Sequence, residues 1–131
     1  MKYLLDTNIC IYWLKGNERI EQKILSVGIH NISLSFINIS ELYYGAFKSQ
    51  RVDENLATVR QFTERLTVIE SDESISEEFG KLKASLENAG TVIDDADIFI
   101  ASCARIYGMT LVTNNAKHFR HIKGFKFENW M

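Results

Sequence analysis

A chain of 131 residues, 46% hydrophobic and 24% charged, has the length and composition of one globular domain with a core of its own, not of a fibrous or disordered protein. Its 15 basic and 17 acidic residues give a net charge of −2, so no global field recruits nucleic acid, and no apolar run approaches the roughly 20 residues of a membrane span. No basic-then-apolar leader precedes the first strand, which points to the cytoplasm. Cys10 and Cys103 both fall in apolar helical patterns and read as small buried hydrophobes rather than as a disulfide.

In chain order, Lys2-Tyr3-Leu4-Leu5 reads as a short buried strand that runs into the polar turn Asp6-Thr7-Asn8. Ile9 to Lys15 reads as a short packed helix with Gly16 just past its end, and Asn17 to Val27 as an amphipathic helix stopped by Gly28. Asn31 to Ile37 alternates like a strand, and Asn38 then opens a helix through Phe47 with an aromatic face. Val52 to Leu66 is helical, Thr67 to Glu70 a third strand, and Glu73 to Ala89 a helix with Gly90 as its stop. Asp94-Asp95-Ala96-Asp97 leads into the apolar helix Ile98 to Ala104, closed by Gly108. Met109 to Thr113 is a strand, Asn114-Asn115 a turn, Ala116 to His121 a short helix, and Phe125 to Phe127 an edge strand. Strands separated by helices pair in parallel through right-handed crossovers, which makes the class α/β with helices on both faces. No linker, repeat or proline divides the chain, so residues 1–131 form a single domain.

The acids are the informative residues. Each has a structural alternative: Asp6, Thr7 or Asn8 can cap the first helix, Asn38 with Glu41 fits a capping box, Asp94 with Asp97 has the same spacing, and Asn114 or Asn115 can cap the last short helix. Jointly they say more. Asp6, Glu41 and Asp97 all fall at or just inside a helix start, and Asp6 and Glu41 closely follow a strand, which places their carboxylates on one rim of the sheet. Asp97 leads a helix apolar enough to be buried, so its carboxylate should be partly desolvated. Converging carboxylates repel and raise one another's pKa unless a cation neutralises them. Oxygen-only ligands select a hard ion, Mg²⁺ or Mn²⁺; no Cys/His set with zinc spacing is present.

Leu4-Leu5-Asp6-Thr7-Asn8, Ile39-Ser40-Glu41-Leu42-Tyr43-Tyr44-Gly45, Asp97-Ile98-Phe99-Ile100-Ala101 and Leu111-Val112-Thr113-Asn114-Asn115 resemble, in order and spacing, the motifs of PIN-domain ribonucleases. Within these the chain is most similar to VapC toxins of type II toxin–antitoxin (VapBC) systems, down to the closing Phe127-Glu128-Asn129-Trp130. The resemblance implies a three-layer α/β/α sandwich around a parallel sheet of four to five strands. It also implies a Mg²⁺-dependent endoribonuclease, inhibited by a cognate VapB-type antitoxin, homodimeric, forming a heterotetramer or larger assembly with that antitoxin, and bound to DNA only through it.

It maps the catalytic, metal-holding acids onto Asp6, Glu41 and Asp97, with Thr7 and Asn115 as polar neighbours. Where the family often has a further acid, this chain has His118, which leaves a second metal position open to Asp94, Asp95 or His118 itself. The cationic tail, with Lys117, His118, Arg120, His121, Lys123 and Lys126 against Glu128, can meet RNA phosphates or serve as a solvated face. Metal-activated water attack implies 5′-phosphate and 3′-hydroxyl products. tRNA is the substrate that the resemblance suggests. Two other readings remain at this level: a non-catalytic regulatory subunit of a DNA-bound complex, as in FitB-like assemblies, and a flavodoxin-like phosphate-binding module. The second wants a glycine-rich loop after the first strand, and Asp6-Thr7-Asn8-Ile9 contains no glycine.

Overall fold

The computed structural model describes residues 2–131. Its elements are β1 (Tyr3–Leu5), α1 (Thr7–Leu14), α2 (Glu18–Val27), β2 (Ile32–Ser35), α3 (Phe36–Phe47), α4 (Val52–Glu64), β3 (Thr67–Ile69), α5 (Glu73–Asn88), α6 (Asp95–Ile106), β4 (Thr110–Val112), α7 (Ala116–Phe119) and β5 (Phe127–Glu128). The five strands form one sheet of order β3-β2-β1-β4-β5, and every neighbouring pair is parallel. From β1 at the centre the chain moves outward through β2 and β3, then crosses back to place β4 on the other side. The order reverses at the carboxyl ends of β1 and β4, where open α/β sheets bind their ligands. This is not the flavodoxin-like order 2-1-3-4-5.

Strand alternation divides the apolar residues between the two faces of the sheet. Leu4, Ile69 and Leu111 pack on one side with Ile75, Leu82 and Leu86 of α5 and Ile98, Ile100 and Ala101 of α6. Leu5, Ile32, Leu34 and Val112 pack on the other with residues of α1 to α4, including Ile9, Ile24, Leu42 and Phe62. Leu4 and Leu5 are both fully buried, so truncating either to Ala should remove about 2–5 kcal/mol. Cys10 and Cys103 are buried and unpaired, as expected; burial pushes the Cys103 thiol up to about 11 and the Cys10 thiol higher still.

The local details depart from the sequence reading where polar side chains decide. α3 starts at Phe36, not Asn38, because Ser35 is its N-cap. The Asn38 amide N–H donates to Ser35 Oγ, and the Ser35 backbone N–H donates to Asn38 Oδ1 at 2.8 Å, so the capping box is Ser35–Asn38 and Glu41 takes no part in it. Asp6 caps α1, which begins at Thr7. Asp94 and Asn115 stand at the N-caps of α6 and α7 without a side-chain capping bond, and Asp97 returns none to Asp94. Helix α7 stops at Phe119, two residues short of the expected His121, and β5 falls at Phe127–Glu128 because Leu111 and Val112 pair with those residues.

Candidate active site

Asp6 follows the last residue of the central strand. Its backbone N–H donates to Val112 O at 2.8 Å, which extends the β1–β4 pairing by one residue and turns the side chain out over the carboxyl edge. There Asp6 Oδ1 accepts from the Thr7 backbone N–H at 2.9 Å and Oδ2 accepts from the Thr113 hydroxyl at 2.8 Å. Thr113 is fully buried at the end of β4 and its Oγ1 in turn accepts from the Asn115 N–H at 3.0 Å. Asp6 is only 5% exposed. That burial raises its pKa, against the hydrogen bonds from Thr113 and Thr7 and the nearby His118, which favour the anion.

Glu41 reaches the same edge from the second turn of α3. Its Oε1 accepts from the Thr7 hydroxyl, whose Oγ1 accepts from Asn38 Nδ2 at 3.0 Å. Asn38 is fully buried and anchored at Ser35, so a chain Ser35–Asn38–Thr7–Glu41 ties the ends of β1 and β2 together. Asp97, on the first turn of α6, has a side chain 20% exposed. Burial raises its pKa first and the negative charge of Asp6 raises it further, while the hydrogen bond with His118 opposes both. The two aspartates therefore resist simultaneous ionisation.

A cleft of about 290 Å³ is lined by Asp6, Thr7, Asn8, Glu41, Asp97 and Asn115, together with α3 residues below Glu41. Concavities of about 410 and 470 Å³ lie against the C-terminus and against β3, but the smaller cleft alone among these joins carboxylates from the N-cap of α1, the second turn of α3 and the first turn of α6. Thr7 and Asn115, the polar neighbours that the resemblance points to, line the cleft. His118 stands beside it, with Nδ1 3.1 Å from Asp97 Oδ2, while Lys117 and Arg120 are exposed on and just after α7. Thr113 and Asn38 were missed as site residues. Thr113 stood in a recognised strand-end motif, but its partner follows from strand order; Asn38 was read as a cap.

Among the described residues, no three His, Cys, Asp or Glu side chains close into a preformed metal cage. The set is open and offers carboxylate, hydroxyl and amide oxygens around two aspartates that repel each other. That chemistry fits a cation that keeps much of its water and takes one or two carboxylates directly, as Mg²⁺ does. It does not fit a free phosphate at the start of α1, where the Asp6 carboxylate already accepts the first amide.

A family model of the PIN domain matches residues 3–124. Ribonuclease VapC2 of Haemophilus influenzae is 40% identical over 134 residues, spanning 100% of this chain and 99% of the relative. The tRNA(fMet)-specific endonuclease VapC of Shigella flexneri is 33% identical over 130 residues, spanning 99% and 98%. Among solved structures, that of DNA-bound VapBC from Salmonella typhimurium superposes with a TM-score of 0.94 at 36% identity, covering 100% of this chain and 99% of that one. The three-layer fold, the five parallel strands and full-length similarity agree, and the chain belongs to the PIN-domain family and, within it, to the VapC toxins.

Proposed function

We propose that this chain is an endoribonuclease toxin that hydrolyses RNA phosphodiester bonds with Mg²⁺ held by Asp6, Glu41 and Asp97. The observation that carries the reading is the meeting of these carboxylates at the β1 carboxyl edge, with burial raising the pKa of both Asp6 and Asp97 and the charge of Asp6 raising that of Asp97 further. Such a site stores negative charge and is neutralised by a cation. The chemistry a Mg²⁺ ion supplies there is a lower pKa for a bound water and charge neutralisation on the phosphate, and Mn²⁺ can substitute.

The protein groups divide the remaining work. Asp6 has both oxygens committed to hydrogen bonds and serves to hold charge in a fixed place. Asp97 has one oxygen engaged by His118 and the other free among the described residues, so it is the better base for the attacking water. Asp97 takes a proton from the water as the water oxygen bonds to phosphorus, the P–O3′ bond breaks, and the released O3′ takes a proton from solvent, so the products carry 5′-phosphate and 3′-hydroxyl ends. Thr7 keeps Glu41 at the rim, and Lys117 and Arg120 hold the RNA backbone alongside.

The relative named for tRNA(fMet) supports tRNA as the substrate class. The DNA-bound VapBC structure supports a VapB-type antitoxin as the partner, and the reading assigns the DNA contact to that antitoxin. Tyr12, Leu14 and Phe47, exposed on the packed helices α1 and α3, offer that antitoxin an apolar seat, and a homodimer uses another helical face. No helix among the described residues is long and apolar enough to cross a membrane.

The test is to incubate the purified chain with total RNA in Mg²⁺, in Mn²⁺ and in EDTA, and to sequence the cut ends. Divalent-dependent cuts with 5′-phosphates are expected. A 2′,3′-cyclic phosphate, or cutting in EDTA, would overturn the mechanism; an inert chain would favour the regulatory reading.

A further inference from the structure

We infer that Tyr44 and Lys48, with Gly45 between them, form a subsite for an unpaired nucleotide of the RNA, Lys48 on a backbone phosphate and Tyr44 stacked on the base. The inference rests on the ribonuclease reading and adds to it a surface that selects single-stranded or looped RNA.

Glu41, Tyr44, Gly45 and Lys48 are spaced i, i+3, i+4 and i+7 along α3 and so share one helical face. The opposite face, with Leu42 and Ala46, is buried in the core. Gly45, Tyr44 and Lys48 line the same cleft as Asp6, Glu41 and Asp97, and among the described residues Lys48 is the sole cation that does so. Lys48 makes no ion pair with any of those acids; its Nζ instead lies 5.0 Å from the centroid of the Tyr44 ring. Its Cα stands about 10 Å along the helix from that of Glu41. With the ammonium resting over Tyr44, it addresses a phosphate that flanks the reacting one.

Tyr44 is 65% exposed, a large ring held in water at the mouth of an acidic cleft. A strong field of acids without a counterweight would repel RNA, so a cation and a stacking platform inside the cleft are what an RNA strand needs there. Gly45 supports the same use. Glycine within a helix is destabilising relative to alanine, yet a Cβ at Gly45 would meet nothing within 4 Å. Packing within the chain does not ask for glycine at this position, and the helix backbone beside Tyr44 stays open to a ligand. Base faces are hidden in a duplex, so stacking on Tyr44 needs an unpaired base.

The experiment is Mg²⁺-dependent cleavage of a fluorescein-labelled RNA hairpin with an unpaired loop, followed for wild type, Tyr44→Ala, Tyr44→Phe and Lys48→Gln at several salt concentrations. All three side-chain changes are at exposed positions, and a melting temperature near that of wild type confirms folding. Tyr44→Ala should raise KM about 5- to 100-fold, the range that stacking on one base supplies, with kcat within about 3-fold and Tyr44→Phe close to wild type. Lys48→Gln should raise KM about 3- to 10-fold and flatten the log–log salt dependence by nearly one charge. If wild type cuts the hairpin and both variants match its KM and salt slope, the subsite is refuted while the ribonuclease reading stands. Loss of an antitoxin peptide's inhibition in those same unimpaired variants would assign the face to protein docking instead. If wild type does not cut the hairpin or total RNA, the ribonuclease reading fails and the subsite with it.

Discussion

The two walls of the cleft are built differently. On one, Asp6 and Asp97 are held by Thr7, Thr113 and His118, with Thr113 locked in turn by the Asn115 amide. That wall is buried at Asp6 and Thr113 and half-buried at Asp97 and His118, is hydrogen-bonded on most of its carboxylate oxygens, and carries the raised carboxylate pKa values. On the other, the α3 face presents Glu41, Tyr44 and Lys48 to solvent, with the Thr7 hydroxyl and the Tyr44 ring as their main internal contacts. The first wall is rigid and stores charge, and its residues should be sensitive to conservative change. The second is open, and its residues should affect substrate more than folding.

The largest effect expected lies on the charged wall. Asp97→Asn or Asp6→Asn should lower Mg²⁺-dependent cleavage at least about 100-fold in a single-turnover assay, since each removes charge that develops its value only in a preorganised site. Glu41→Gln should behave likewise although it sits on the open wall, which makes it the sharpest check on the division. Thr113→Val comes next. It leaves the buried Asp6 Oδ2 without its hydroxyl donor and should lower stability by about 1–3 kcal/mol in urea unfolding, with a loss of activity alongside.

The same wall sets a pH dependence. Folding raises the Asp97 pKa, so between the ordinary carboxylate range near 4 and the raised value the folded state binds more protons than the unfolded one. Metal-free protein should therefore be most stable at the acid end of that window and lose stability as pH rises through the folded pKa. In Asp97→Asn this slope should be shallower in thermal melts from pH 4 to 8. A slope as steep as that of wild type would show that the acids do not strain the fold. Smallest is Gly45→Ala on the open wall: stability should rise by about 0.5–1 kcal/mol because the new Cβ meets nothing, while cleavage of looped RNA slows.

Much of this was legible in sequence because each inner strand carries a short run of leucine or β-branched residues that ends in a polar turn or helix start, and because Asp6 sits directly at a strand end. Asp6 and Asp97 are legible because both stand at helix starts; Glu41 joins them from the second turn of α3, deeper in the helix than a start at Asn38 implies. What was not legible depends on pairing at a distance. Thr113 meets Asp6 only because β4 lies beside β1, 107 residues away in sequence. The start of α3 was misplaced because Ser35 outcompeted Asn38 for the cap, which also freed Glu41 to bond Thr7. His118, in place of an expected acid, turns out to lean on Asp97, so it tempers the charge of an existing ligand candidate.

The central claim is that Asp6, Glu41 and Asp97 act as one divalent-cation site, and calorimetric titration of Mn²⁺ and Mg²⁺ into the purified chain tests it most directly. Wild type should bind saturably, and Asp6→Asn, Glu41→Gln and Asp97→Asn alike should bind at least about 10-fold more weakly. Undiminished binding by all three variants, or RNA cleavage by a wild-type chain that binds neither ion, would contradict it.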